Sequence, residues 1–478
     1  MKYCDDVIIK KIDEYISLNK NKIVDDLLEL VRVPSVKGEA KPDAPFGEKC
    51  AEMLDKTALL FEYNGFKTDI NHIDGYALSY YGEGDKSIGL FAHTDVVPVD
   101  DKWQVCKPFE PVVKEGYIFG RGCNDDKSGV IETLYAAKII RDLGLDFNSK
   151  LVMFSGSNEE SGMEDISAFA AKEQMPDVSL VPDAMYPCIC GERSMIKFDI
   201  VSKNKTTTIK KFHGGEAFNI VLGELNAELV YSDELWMQIS NVCGNNENFV
   251  ISKDADTIYI TSKGVAKHVM DAETAVNAAM VMADMLAKCP AIGDNDAKLL
   301  NDISSYLKDC YGTGFGIAHN DDIFGKLVCA NGIVRLTENG NIKLTFDCRI
   351  GLSYDLEDVK RQIHISCGDA WTVENADGSI GYNMDDDAPA KRVLEDVYAS
   401  ISGIDGVQGY RIAAGTYARK LKNAYPIGTV AYYKAEPYPM PEGHGGIHQP
   451  DEMMSIDAFL EAIKILVCLL LELDKLIN

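Results

Sequence analysis

Ser87-Ile-Gly-Leu-Phe-Ala92, followed at once by His93-Thr-Asp95, decides the fold. The six-residue run is short, mostly apolar and of strand type, and it delivers a histidine and an acid to its carboxyl end. Working outward, 130–143 carries helical periodicity, 151–155 (LVMFS) reads as a strand, 166–173 as a helix and 178–181 as a further strand. Upstream, apolar residues at Ile8, Ile12, Ile16, Ile23, Leu27, Leu28 and Val31 mark a helix over 5–33, ended by Pro34, with a second near 48–63. Strands alternating with helices predict an α/β fold built on a mostly parallel sheet with helices on both faces.

From about Ser194 the texture changes. Strands at 195–201, 257–262 and 342–350 and helices at 272–288 and 356–365 suggest an α+β insertion. Near Asp385 the first texture returns, with a helix over 388–402 and a last one opening at Ser455, an expected N-cap. The expected organisation is therefore a discontinuous catalytic domain, 1–193 and 383–478, interrupted by a second, α+β domain, 194–382.

Composition narrows the function. The chain has 478 residues, with 48 basic against 75 acidic side chains and a net charge of −27. A nucleic-acid binder needs a basic surface, and an anionic membrane would repel this one, so neither is an expected partner. The apolar stretch 459–473 is interrupted by Glu461, Lys464 and Glu472 and is too short to span a bilayer. The opening MKYCDDVIIKKIDEY has charges where a secretory leader would be apolar. Thirteen scattered cysteines without a C-x-x-C pair suit reduced thiols, so the expected compartment is the cytoplasm. No phosphate-binding G-x-x-x-x-G-K-[ST] loop occurs.

A His-x-acid triplet is weak evidence alone. With 8 histidines and 75 acids in 478 residues, 8 × 75/478 or about one is due by chance, and three occur, at His72, His93 and His319. Only His93 directly follows an apolar strand, and ligand sites of open α/β sheets gather beyond the carboxyl ends of strands. Three more acidic sites share that placement: Asp125-Asp126 before a helix, Glu159-Glu160 after the strand at 151–155, and Asp183 after the strand at 178–181. Carboxylates and imidazole without cysteine suit Zn²⁺ or Mn²⁺ sites that keep a position open for water.

These segments resemble a known family. LVRVPSV (30–36), HTDVVP (93–98), GRGCNDDKSG (120–129), NEESG (158–162), VPDAMYP (181–187), GTYAR (415–419) and HQPDE (448–452) follow the order and spacing of dizinc metallopeptidases of the aminoacylase and carboxypeptidase type, most nearly the PepV-type dipeptidases. The resemblance implies metal ligands at His93, Asp125, Glu160, Asp183 and His448, with Asp125 bridging two divalent ions, Zn²⁺ first and Mn²⁺ or Co²⁺ as alternatives. It implies Asp95 as the acid that orients His93, Glu159 as general base, His268 as the lid histidine that meets the oxyanion, and Asn219 and Arg419 as substrate contacts. Arg419 would clamp the free carboxylate, a task suited to a planar guanidinium.

Around His268 the chain departs from the family's usual proline, reading Val-Met-Asp-Ala, and Asn158 stands where the family often has an acid. His444 lies close to His448 but is read as a supporting residue, and Asp126 is left unassigned. Cys123, two residues before Asp125, is expected to be an inert small side chain. Three readings follow: a dipeptidase acting on small dipeptides; an aminoacylase or deacylase cutting N-acyl amino acids at the same site; and a metal-free binding protein on the same fold, disfavoured because no matched ligand is missing. The long lid of the PepV type implies an active monomer.

Overall fold

The structure is a computed structural model and describes residues 5–244 and 246–478; part of the opening stretch weighed above as a leader, residues 1–4, lies outside them. The chain divides into two compact units, Met1–Gly191 with Asn383–Asn478, and Glu192–Tyr382.

The first unit is built on a six-stranded sheet. Its strands are, in spatial order, Lys67–Asn71, Tyr76–Tyr81, Lys150–Gly156, Ser87–His93, Val178–Ala184 and Ala424–Gly428. The last four run parallel, and the first two add antiparallel at one edge. Along Ser87–His93 the pleat sorts side chains by face. Ile88, Leu90 and Ala92 enter a core shared with the helices Asp6–Val31, Lys127–Asp142 and Ile456–Ile477. Phe91 points the other way, 5.4 Å from the ring of Phe154 and 5.2 Å from that of Phe169 on the helix Glu164–Lys172. Helices therefore cover both faces, as an all-buried strand requires.

Local signals set the helix ends. Asp5 caps Asp6–Val31 by accepting from Val7 N, and Ser455 caps Ile456–Ile477 by accepting from Ala458 N. Asp126 caps Lys127–Asp142 by accepting from Gly129 N at 3.2 Å. Gly129 is needed there, because a Cβ would lie 2.5 Å from the Pro182 carbonyl, so the helix start and the strand before Asp183 could not approach as they do.

The second unit has two antiparallel four-stranded sheets around one core. One is ordered Val328–Leu336, Ile342–Ile350, Ser194–Ser202, Trp371–Ser379, and the other Ile209–His213, Glu224–Val230, Thr257–Lys263, Phe249–Lys253. The helix expected over 272–288 is shorter. Val269–Thr274 is a 3₁₀ turn, Val276 pairs with Val265 as an isolated bridge, and the α-helix begins at Ala278 because the Asn277 side chain accepts from Ala279 N and Met280 N. An Asn cap outcompetes helix propagation at that point.

Candidate metal centre

The candidate ligands converge at the carboxyl edge of the first unit's sheet. His93 ends its strand, fully buried, with Nε2 3.0 Å from Asp125 Oδ1 and 3.9 Å from Asp183 Oδ2. The other Asp125 oxygen lies 2.9 Å from His448 Nε2, which is also 3.1 Å from Glu160 Oε1. Asp125 thus stands between two imidazoles, and each imidazole faces one further carboxylate.

Burial works against charge on His448, yet Asp125 and Glu160 push its pKa up to about 11. On His93, Asp125 and Asp95 likewise outweigh burial and raise the pKa well above the ordinary imidazole value. Asp125 stays low despite burial, because His448 and His93 hold its charge. Glu159, Asp183 and Asp126 rise well above the usual carboxylate range, through burial first and neighbouring acids second. So many acids in one pocket ionise together only beside compensating cations. Oxygen and imidazole donors in this number fit divalent ions of the Zn²⁺ and Mn²⁺ type.

One cluster of ligand atoms within 4.8 Å of one another comprises His93, Asp125 and Glu160, and a second comprises His93, Asp126 and Asp183. Asp126 is the weaker candidate in the second. Its oxygens accept from His93 N at 3.1 Å and from Gly129 N, so it serves as a helix cap and backbone anchor.

Two acids fix the loops that carry the ligands. Asp95 accepts Glu159 N at 3.0 Å and Glu160 N at 3.2 Å, one with each oxygen. His93 Nδ1 is nearer the Asp95 carbonyl, at 3.0 Å, than its carboxylate, at 3.5 Å. Asp95 therefore acts on the glutamate pair as much as on His93, which the sequence resemblance did not suggest. Glu452, also fully buried, accepts from Arg121, Gly122 N, Asn124 N and Asp125 N at 2.7–3.2 Å, so the end of HQPDE holds the loop bearing Asp125.

Glu159 Oε1 is buried without a hydrogen-bond partner among the described residues, and Glu159, Glu160, Asp125, Asp183 and His448 line one cavity of ≈ 1020 Å³. Ile412, Tyr432, Tyr438, Met440 and Ile447 also line this cavity, and none of them belongs to a segment that the sequence singles out.

Ala414, Gly415 and Thr416 also line the cavity, while the Arg419 guanidinium donates to the Ala414 carbonyl of its own loop at 3.1 Å. Tyr417 is buried and donates to Asp165, whose carboxylate also takes Ser157 N and Asn158 N, so GTYAR is tied to NEESG. Cys123 is fully buried, and burial raises its thiol pKa well above the free value. His268 and Asn219 belong to the second unit and are neighbours there, Val269 N donating to the Asn219 carbonyl at 2.9 Å.

The model of peptidase family M20/M25/M40 matches residues 89–472. The chain belongs to this family. Its members are divalent-metal-dependent hydrolases, and the clustered His93, Asp125, Asp126, Glu160 and Asp183 are this member's candidate ligands. A Staphylococcus epidermidis protein named "Putative dipeptidase" is 28% identical over 442 residues, 88% of this chain and 91% of its own. A Staphylococcus aureus protein of the same description is 28% identical over 444 residues, with 88% and 91% covered. Among solved structures, human carnosine dipeptidase 1 is similar in fold, with a TM-score of 0.60 at 15% identity over 98% of this chain and 99% of that one. The di-peptidase Dug1p of Saccharomyces cerevisiae is similar at 0.60 and 13% identity, covering 98% of each.

Proposed function

We propose that this M20-family chain is a dipeptidase working with two divalent cations, zinc first and manganese or cobalt as alternatives. The observation that carries the reading is Asp125, set between His93 and His448 with Asp183 and Glu160 as their further partners. His93, Asp125 and Asp183 would hold one ion, and Asp125, Glu160 and His448 the other. When bound, such a pair lowers the pKa of water and polarises the scissile carbonyl.

The protein's own groups do the rest. Glu159, with one carboxylate oxygen unengaged, takes the water's proton and returns it to the leaving amine. His268 Nδ1 accepts from Met270 N, so the neutral ring carries its proton on Nε2 as a donor for the oxyanion. Burial lowers its pKa, which favours that neutral form. We assign Asn219 a substrate contact, and Arg419 the substrate's free carboxylate once it leaves the Ala414 carbonyl. In this reading the first unit is catalytic, Glu192–Tyr382 is its lid, and the protein is an active monomer. No two described cysteines are joined in a disulfide, which supports a cytoplasmic setting, and no described helix is long and apolar enough to cross a membrane.

Metal analysis combined with a panel of dipeptides, amidated dipeptides and N-acyl amino acids tests the proposal. Two ions per chain and cleavage of free dipeptides are expected, with Asp125→Ala losing both ions. Arg419→Lys keeps the charge but loses the fork and should lower kcat/KM. Equal turnover of amidated and free dipeptides would remove the carboxylate clamp, and faster cleavage of N-acyl amino acids would replace the dipeptidase reading with the acylase one.

A further inference from the structure

The loop that carries His448 holds another histidine with no part in the mechanism above. His444 lines the same cavity as Glu159 and His448, with Nδ1 2.7 Å from Asp451 Oδ2. Asp451 is fully buried, and its other oxygen accepts Gln104 N and Val105 N, both at 2.8 Å. A carboxylate fixed in this way dictates the tautomer: the neutral ring keeps its proton on Nδ1 and leaves Nε2 as an acceptor. Nε2 is 3.5 Å from the amide nitrogen of exposed Gln104, a contact too long to compete with a bound ligand.

An acceptor backed by a carboxylate suits a hydrogen-bond donor, above all a cationic one, and offers nothing to a carboxylate or an acyl group. A dipeptide brings such a donor, because its free ammonium is one carbon away from the scissile carbonyl. An N-acyl amino acid has none. Asp125, Asp183 and Glu160 are committed to cations in the working enzyme, so they are poor partners for that ammonium.

We propose that His444, oriented by Asp451, binds the free amino group of the substrate's N-terminal residue and selects dipeptides over N-acyl amino acids. The inference rests on the dipeptidase reading and names the group that gives it its substrate class. His444 is a substrate-binding residue in this account and Asp451 a positioning residue.

The test compares alanyl-leucine with propanoyl-leucine, which lacks only the amino group, in wild type, His444→Ala, His444→Gln and Asp451→Asn, with metal content measured for each. Wild type should prefer the alanyl substrate. His444→Ala should cut that preference by roughly 10–100-fold with metals retained, mainly through KM, because a site built around a hydrogen bond rejects the partner that lacks it. His444→Gln, whose amide oxygen can take the place of Nε2, should recover part of the preference. Asp451→Asn should weaken it, since an amide no longer dictates the tautomer. A parallel loss on both substrates, loss of metal, or an unchanged preference in His444→Ala would each overturn the assignment. A wild type that cleaves propanoyl-leucine faster would instead overturn the dipeptidase reading, before any variant is made.

Discussion

Asp95 and Glu159 are joined through the backbone: the Asp95 carboxylate accepts Glu159 N at 3.0 Å while its second oxygen accepts Glu160 N at 3.2 Å. One acid thereby sets the direction in which two adjacent glutamates leave the chain. Asp95→Asn can accept from only one of the two N–H groups and turns an NH₂ toward the other. The His93 Nδ1 contact to the residue 95 carbonyl survives the change. We expect kcat to fall roughly 10–100-fold, as for other residues that support ligands, with His93 still binding metal. Steady-state kinetics beside metal analysis checks this; full activity would mean the glutamate loop holds itself.

The glutamates themselves should separate. Glu160 touches His448 and clusters with His93 and Asp125, whereas Glu159 Oε1 has no partner among the described residues. Glu160→Ala should lose one ion. Glu159→Gln should keep both and lose about 10²–10⁴-fold in kcat. Retention of near-normal kcat by Glu159→Gln, or loss of its metals, would reverse these roles.

Much of this was readable in the sequence, for physical reasons. Ser87–His93 and Lys150–Gly156 announce themselves because strands buried on both faces must be apolar throughout. The edge strand Lys67–Asn71 does not: it is largely exposed, so nothing forces a pattern on Lys-Thr-Asp-Ile-Asn. Ala424–Gly428 hides for another reason. Pro426 argues against a strand, but this one is at the sheet edge, where a missing N–H costs no ladder bond. Four of the candidate ligands, His93, Asp125, Glu160 and Asp183, were legible because each sits at a strand end or just before a helix, whereas His448, on a loop, was marked only by the family resemblance. The work of Asp95, Asp451 and Glu452 was not legible, since backbone N–H groups of distant loops leave no mark in the sequence.

Glu452 offers a stability test. Its carboxylate is fully buried, paired with Arg121 at 2.7 Å, and accepts three backbone N–H groups of the Asp125 loop. Removing one partner of a buried pair leaves an uncompensated charge, typically about 3–5 kcal/mol. Glu452→Ala should be destabilised on that scale in denaturant titration and should bind metal more weakly, because Asp125 loses its backbone anchor. Wild-type stability in this variant would show that the pair contributes nothing net.

Glu132 carries the pH prediction. It is fully buried on the helix Lys127–Asp142, Oε1 accepts from the Tyr186 hydroxyl at 3.2 Å, and Oε2 has no partner among the described residues. Burial raises its pKa well above the ordinary value, and the hydrogen bond from Tyr186 opposes this only in part. The folded state therefore holds a proton that the unfolded chain releases above about pH 4.3. The stability this proton gives is fully present below that pH and is lost as pH rises toward the folded pKa, at up to about 1.4 kcal/mol per pH unit. Glu132→Gln keeps an acceptor for Tyr186 and cannot titrate, so it should lack this slope. Its Tm should gain on wild type steadily as pH is raised from about 4 to 8, and a Tm difference that stays flat across that range would place the Glu132 proton elsewhere.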